Sequence, residues 1–120
     1  MTLALLTGNH ERGARVKLAP VGFNDFFLFG AFGSDNADRY ELPSIAVSRA
    51  REHTGRDFEG KEVVIVGDSI HDVRCGRTIN VKSVAVASGL TPTERLARED
   101  PDFLFESFGD TQRVAEAILA

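Results

Sequence analysis

The chain has 120 residues, 42% apolar and 27% charged, a balance that suits one folded domain and argues against disorder. A net charge of −4 with no dense basic run argues against a nucleic-acid-binding module, and no apolar stretch approaches the roughly 20 residues of a membrane-spanning helix. One cysteine, Cys75, excludes an internal disulfide, so a reducing cytoplasm is the expected setting; the opening MTLALLTGN lacks the length and basic region of a signal peptide.

Along the chain, strand patterns alternate with helix patterns. Leu3 to Leu6 is an apolar run stopped by Thr7-Gly8-Asn9, and a short helix is expected from His10 to Leu18. Phe26 to Phe32 (FFLFGAF) reads as a second strand, aromatic and uninterrupted except for Gly30. After the polar loop Ser34 to Arg39, a helix is expected from Leu42 to Thr54, with Pro43 in its first turn and Gly55 as its stop. Val63 to Val66 is β-branched without alternation, which predicts a strand buried on both faces. A helix follows from Ile70 to about Ile79, where Gly76 permits close approach to the sheet. Ser83 to Ala87 and Phe103 to Phe105 read as further strands. Thr91-Pro92-Thr93-Glu94 fits a capping box, with Pro92 at the first helical position, and Asp110 or Thr111 caps a last helix that turns Val114 and Ile118 inward. This alternation implies an α/β fold: a three-layer, Rossmann-like parallel sheet with helices on both faces.

In such sheets ligands bind beyond the carboxyl ends of the strands. The polar residues there are Thr7-Gly8-Asn9, Ser34 and Asp35, and Gly67-Asp68-Ser69 with Asp72. A Thr-Gly turn opening a helix offers a hydroxyl and backbone N–H groups to a phosphate, aided by the helix dipole. Asp68 and Asp72 suit a hard cation such as Mg²⁺, which takes one or two carboxylates and keeps several waters. The plainer readings are a turn and cap at residues 7–9, and a helix cap with a dipole-favoured acid at residues 68–72. His71 reads as a solvated helix residue and Cys75 as packing. The phenylalanines at 26, 27, 29 and 32 read as core or interface, and Arg49, Arg51 and Arg56 as a solvated face. A Gly-Asp-Ser turn also occurs in GDSL-type esterases, but no Asp-x-x-His pair follows Ser69 to activate it.

LLTGN and VVIVGDSIHD, in this order, resemble the second and fourth motifs of the haloacid-dehalogenase-like (HAD) superfamily, in particular its phosphoglycolate-phosphatase-like members. The resemblance covers essentially the whole chain. It implies a Mg²⁺-dependent phosphatase acting on a small phosphorylated metabolite, with Thr7, Gly8 and Asn9 at the phosphate and Asp68 and Asp72 at the metal. Two departures accompany it. The third-motif lysine aligns near Tyr40, and Arg39 is the nearest cation able to replace it. The first motif, Asp-x-Asp-x-Thr/Val, is absent: Asp35-Asn36-Ala37-Asp38 has the wrong spacing and no apolar strand before it. The resemblance therefore implies a partial core domain over residues 1–120, without the first central strand, its nucleophilic aspartate, or the substrate-selecting cap. A fragment of a longer protein, inactive alone, is the expectation. The alternative is a non-catalytic module that binds metal or phosphate, or that a partner completes. Losing a central strand exposes strand edges, which invites homodimerisation or other association.

Overall fold

The computed structural model describes residues 1–119. Strand pairing is parallel throughout, and each strand is followed by a helix, giving the Rossmann-like α/β fold expected. The chain divides into two compact units, Met1–Phe58 and Glu59–Ala120.

The first unit holds strand β1 (Leu5–Thr7), helix α1 (Glu11–Leu18), strand β2 (Gly30–Phe32) and helix α2 (Leu42–Thr54). β1 and β2 align Leu5 with Gly30 and Thr7 with Phe32. β2 is buried along its length, with Ala31 and Phe32 almost inaccessible, and α2 covers it through Leu42 and Pro43. Gly55 ends α2 at φ 72°, a left-handed conformation that glycine adopts without a Cβ penalty.

The strand predicted from Phe26 to Phe32 is much shorter in the structure. Phe23–Phe26 forms a 3₁₀ turn, and only Gly30–Phe32 joins the ladder. The cause is local. Gly22 turns the chain at φ 69°, Arg15 of α1 donates to the Phe27 carbonyl, and Asn24 Nδ2 donates to the Arg15 carbonyl at 3.0 Å. The Arg15 side chain and backbone carbonyl hold this segment against α1, and it joins no strand ladder among the described residues. Phe29 and Phe32 are core residues, whereas Phe26 remains 63% exposed.

The second unit holds strand β3 (Val64–Gly67), helix α3 (Ile70–Thr78), strand β4 (Lys82–Val86), helix α4 (Thr93–Ala97), strand β5 (Phe103–Phe105) and helix α5 (Thr111–Leu119). The sheet order is β3-β4-β5. β4 is the wholly buried strand. Val73 of α3, Ala85 of β4 and Leu96 of α4 form the core, with Ile70, Ala87 and Leu104 packed around them. A Cβ on Gly76 would lie 3.3 Å from the Ser83 Cβ, so the absence of a side chain there sets how closely α3 sits on β4.

Two sequence expectations are corrected here. β3 is not buried on both faces: Val66 is 41% exposed, and among the described residues β3 pairs only with β4. α4 begins at Thr93, with Pro92 just outside it and no side-chain cap; the Pro92 carbonyl itself accepts from the N–H groups of Arg95 and Leu96. Pro92 at ψ 152° is extended and so cannot be the first helical residue. Asp110 does cap α5, accepting from the Arg113 N–H at 3.1 Å.

Two polar clusters tie this unit together. Asp102 accepts from the Ser83 N–H at 2.8 Å and pairs with Lys61, while the Asp102 N–H donates to Ser83 Oγ, so the start of β5 is fixed to β4. Glu99 receives Arg74 and Arg77 from α3 at 2.8 and 2.6 Å. These two guanidinium groups hold its carboxyl at about 2, well below the ordinary glutamate value.

Candidate active site

The first unit carries Thr7, Gly8, Asn9 and Arg39. The turn leaving β1 is closed by the Asn9 N–H donating to Thr7 Oγ1 at 3.1 Å. Gly8 and Asn9 are exposed, and Thr7 is half-buried at the end of the strand. The Arg39 guanidinium lies beside this turn: a Cβ on Gly8 would be 3.6 Å from Arg39 Nη1. Arg39 opens a 3₁₀ turn (Arg39–Glu41) that Asp38 caps by accepting the Tyr40 N–H at 2.9 Å. Sequence reasoning singled out the cation and the turn separately; the fold brings them together.

The loop leaving β2 meets the same turn. The Gly33 N–H donates to the Asn9 carbonyl at 2.8 Å, and a Cβ on Gly33 would collide with the Gly8 carbonyl. Ser34 Oγ accepts the Glu11 N–H at 3.1 Å, capping α1 from across the loop, since His10 provides no side-chain cap. Arg49, read from the sequence as part of a solvated face, instead grips Asp35 with both terminal nitrogens at 2.7 Å. That bidentate hydrogen bond to Arg49 holds the Asp35 carboxyl below its ordinary value. Arg51 fits the solvated reading, paired with Asp57 at high exposure on both sides.

The second unit carries Asp68 and Asp72 in the turn from β3 into α3. Ser69 is the helix N-cap and Asp72 completes a capping box: Asp72 Oδ2 accepts from the Ser69 N–H at 3.0 Å and from Ser69 Oγ at 2.9 Å. The cap predicted for Asp68 therefore belongs to Ser69. Asp72 folds back over Gly67, where any Cβ would strike its carboxylate. Asp68 is exposed and lies against Gly89 in the loop after β4, where again a Cβ would overlap the carboxylate. Sequence reasoning missed Gly33 and Gly89, because a glycine's role as empty space appears only when its neighbour is known.

The donor set of the β3–α3 turn is hard oxygen at the N-terminal end of a helix, the chemistry Mg²⁺ prefers. Gly67 and Gly89 leave the room both carboxylates occupy. Among the described residues no group of three or more His, Cys, Asp or Glu side chains is placed to hold a metal ion by itself. His71 is exposed, and Cys75 is buried and in no disulfide. A half-open cleft of about 290 Å³, lined by Phe103, Phe105, Arg113, Glu116 and Ala117, involves neither carboxylate. Among the described residues no helix is long and apolar enough to cross a membrane.

Comparison with known proteins shows the family and the fold. "Putative pyrophosphatase PpaX" of Caldanaerobacter subterraneus subsp. tengcongensis is 41% identical over 96 residues, covering 77% of this chain and 43% of that protein. Pyrophosphatase PpaX of Listeria welshimeri is 32% identical over 50 residues, covering 42% of this chain and 23% of its own length. The crystal structure of a predicted phosphoglycolate phosphatase from Haemophilus somnus 129PT superposes with a TM-score of 0.76 at 20% identity, over 95% of this chain and 49% of that one. This chain thus spans less than half the length of each of these relatives. The profile of the HAD-hydrolase-like family matches residues 42–111, more than half of the sequence and including Asp68 and Asp72, and the chain belongs to that family.

Proposed function

We propose that this chain is the phosphate- and metal-holding part of a Mg²⁺-dependent HAD-type phosphatase that hydrolyses a small phosphate ester through a phospho-aspartate. The observation that carries this reading is the pair of carboxylates, Asp68 and Asp72, presented by the β3–α3 turn of a HAD-family chain with glycine on the facing backbone. Asp68 and Asp72 would hold Mg²⁺, which when bound neutralises charge on the phosphoryl oxygens. Thr7, Gly8 and Asn9 bind the phosphate through a hydroxyl and backbone N–H groups. Arg39, beside Gly8, balances phosphoryl charge in place of the third-motif lysine. No Asp-x-Asp-x-Thr/Val string occurs in these residues, so the attacking aspartate comes from outside them. The names of the relatives favour a small phosphorylated compound: phosphoglycolate is the candidate ester, and pyrophosphate, a phosphoanhydride open to the same attack at phosphorus, is the alternative.

The test is Mg²⁺ titration of the purified chain by calorimetry, with and without inorganic phosphate. Binding that weakens about tenfold or more in Asp68→Asn is expected, on the scale of losing a ligand or its support. Binding indifferent to residue 68 would overturn the metal assignment. The chain alone is expected not to turn over p-nitrophenyl phosphate. Steady hydrolysis abolished by Asp68→Asn would show that the nucleophile lies within these residues after all.

A second reading is a non-catalytic module that associates through its sheet edges. The observation favouring it is that β1 pairs only with β2, and β3 only with β4, among the described residues.

A further inference from the structure

We infer that Asp35 and Arg49 are positioning residues for the turn Thr7-Gly8-Asn9, acting on it through Gly33 and Ser34. The functional half of this inference rests on the reading that the turn holds phosphate.

The sequence offers no hint of the pair, because its members lie fourteen positions apart. In the structure Asp35 closes the turn after β2 at both ends. Its N–H donates to the Phe32 carbonyl at 2.8 Å, and its Oδ2 accepts the Phe32 N–H at 2.9 Å. Arg49, reaching over from α2, then fixes this closed turn to the strand. Its Nη1 donates to Asp35 Oδ2 and to the Gly30 carbonyl, and its Nη2 donates to Asp35 Oδ1, each at 2.7 Å. A planar guanidinium makes these three bonds at once; an ammonium, a point charge without a fork, does not reproduce the geometry.

What the closed turn presents is Gly33 and Ser34. Gly33 donates to the Asn9 carbonyl and touches Gly8 backbone to backbone, and Ser34 Oγ takes the Glu11 N–H. The backbone from Gly8 to Glu11 therefore rests on residues 33 and 34, which rest on Asp35, which is held by Arg49. A phosphate-binding turn works through N–H groups pointing at a common centre, so its function depends on backbone direction more than on any side chain. Ordinary surface ion pairs hold nothing else in place and contribute little. This one differs because both partners also bond backbone atoms of β2 or of the turn leaving it.

The experiment records ¹⁵N amide spectra and hydrogen exchange of the 120-residue chain and of Arg49→Lys, Asp35→Asn and, as control, Arg51→Ala. Arg51→Ala breaks only the exposed pair with Asp57. Without ligand, Asn9 and Glu11 amides are expected to exchange at least about fivefold faster in Arg49→Lys and Asp35→Asn, and unchanged in the control. A response confined to residues 30–35 would overturn the coupling. Inorganic phosphate is then titrated against each folded variant. Shifts at Gly8 and Asn9 that need at least about fivefold more phosphate in the two variants support the positioning role, since a loss of stability alone leaves the affinity of the folded fraction unmoved. Equal affinity in all variants overturns that role while the phosphate reading stands. No shift at Gly8 or Asn9 in the parent chain overturns the phosphate reading, and the exchange data alone then decide the coupling.

Discussion

Gly89 faces Asp68 so closely that a methyl group at position 89 would occupy the space of the carboxylate. The atom in the way is the tip of a side chain rather than backbone, so Gly89→Ala is relieved by rotating Asp68. The fold should therefore bear the change, at less than about 1 kcal/mol of stability. The candidate metal site should not: with Asp68 turned aside, Mg²⁺ affinity is expected to fall about tenfold. Calorimetry against thermal unfolding separates the two effects. Loss of stability with unchanged Mg²⁺ affinity would sink the assignment of Asp68.

Asp72 has two separable duties. Its Oδ2 accepts both groups of Ser69 in the capping box, and its charge is proposed to face the metal. Asp72→Asn keeps an acceptor for Ser69 and removes the charge; Asp72→Ala removes both. The alanine variant is expected to lose about 1 kcal/mol of stability and the asparagine variant only a few tenths, because the cap survives in it. Both are expected to lose Mg²⁺ affinity. If the asparagine variant binds Mg²⁺ like the parent chain, residue 72 is a helix cap and nothing more.

Much of this arrangement was legible in the sequence, for a physical reason. β5 and α2 lie where apolar runs and the Pro43 and Gly55 signals place them, since local propensity and burial act together there. The turn that carries Asp68 and Asp72 lies where the sequence places it, between a β-branched run and a helix, and the metal role of the two carboxylates is the proposal made above. The failures share a different cause. Phe26 to Leu28 looks like strand, but Arg15 of α1 bonds the Phe27 carbonyl, a contact that no local pattern encodes. Val63 to Val66 has the composition of a doubly covered strand, yet Val66 is substantially exposed. Arg49 looks like its exposed neighbour Arg51 in sequence, and only the fold distinguishes them. The position of Arg39 beside Gly8 is likewise a product of packing around the loop after β2.

The Arg74–Glu99–Arg77 cluster predicts a pH dependence with a definite sign. Glu99 has a folded-state value of about 2, against an ordinary value of 4.5. A depressed carboxyl contributes stability that is complete above its unfolded value and lost as pH falls through its folded value. The contribution should thus be intact above about pH 5 and fade as pH falls toward 2. Denaturant unfolding of the parent chain and of an Arg74→Ala, Arg77→Ala double variant tests this. The stability gap between them is expected to narrow across that window. A gap that stays constant from about pH 6 to the acid limit would show that the guanidinium groups act by packing rather than by charge.

Val66 provides the test of the second functional reading. It is an apolar residue, 41% exposed, on a strand with only one ladder partner among the described residues. Unpaired strand edges recruit other strands, and natural proteins blunt them with lysine. The chain is therefore expected to associate as its concentration rises, and Val66→Lys to shift that association toward monomer. Sedimentation across about a hundredfold range of concentration, matching the span of typical weak association constants, provides the measurement. The exposed Phe26 supplies the control, since it lies on the 3₁₀ turn before β2 and not on a strand. If Phe26→Ser abolishes association and Val66→Lys does not, the interface is that aromatic segment and the edge of β3 is not its basis. A chain that stays monomeric throughout the range would remove the observation favouring a self-associating module, and leave the phosphatase reading as the one the residues support.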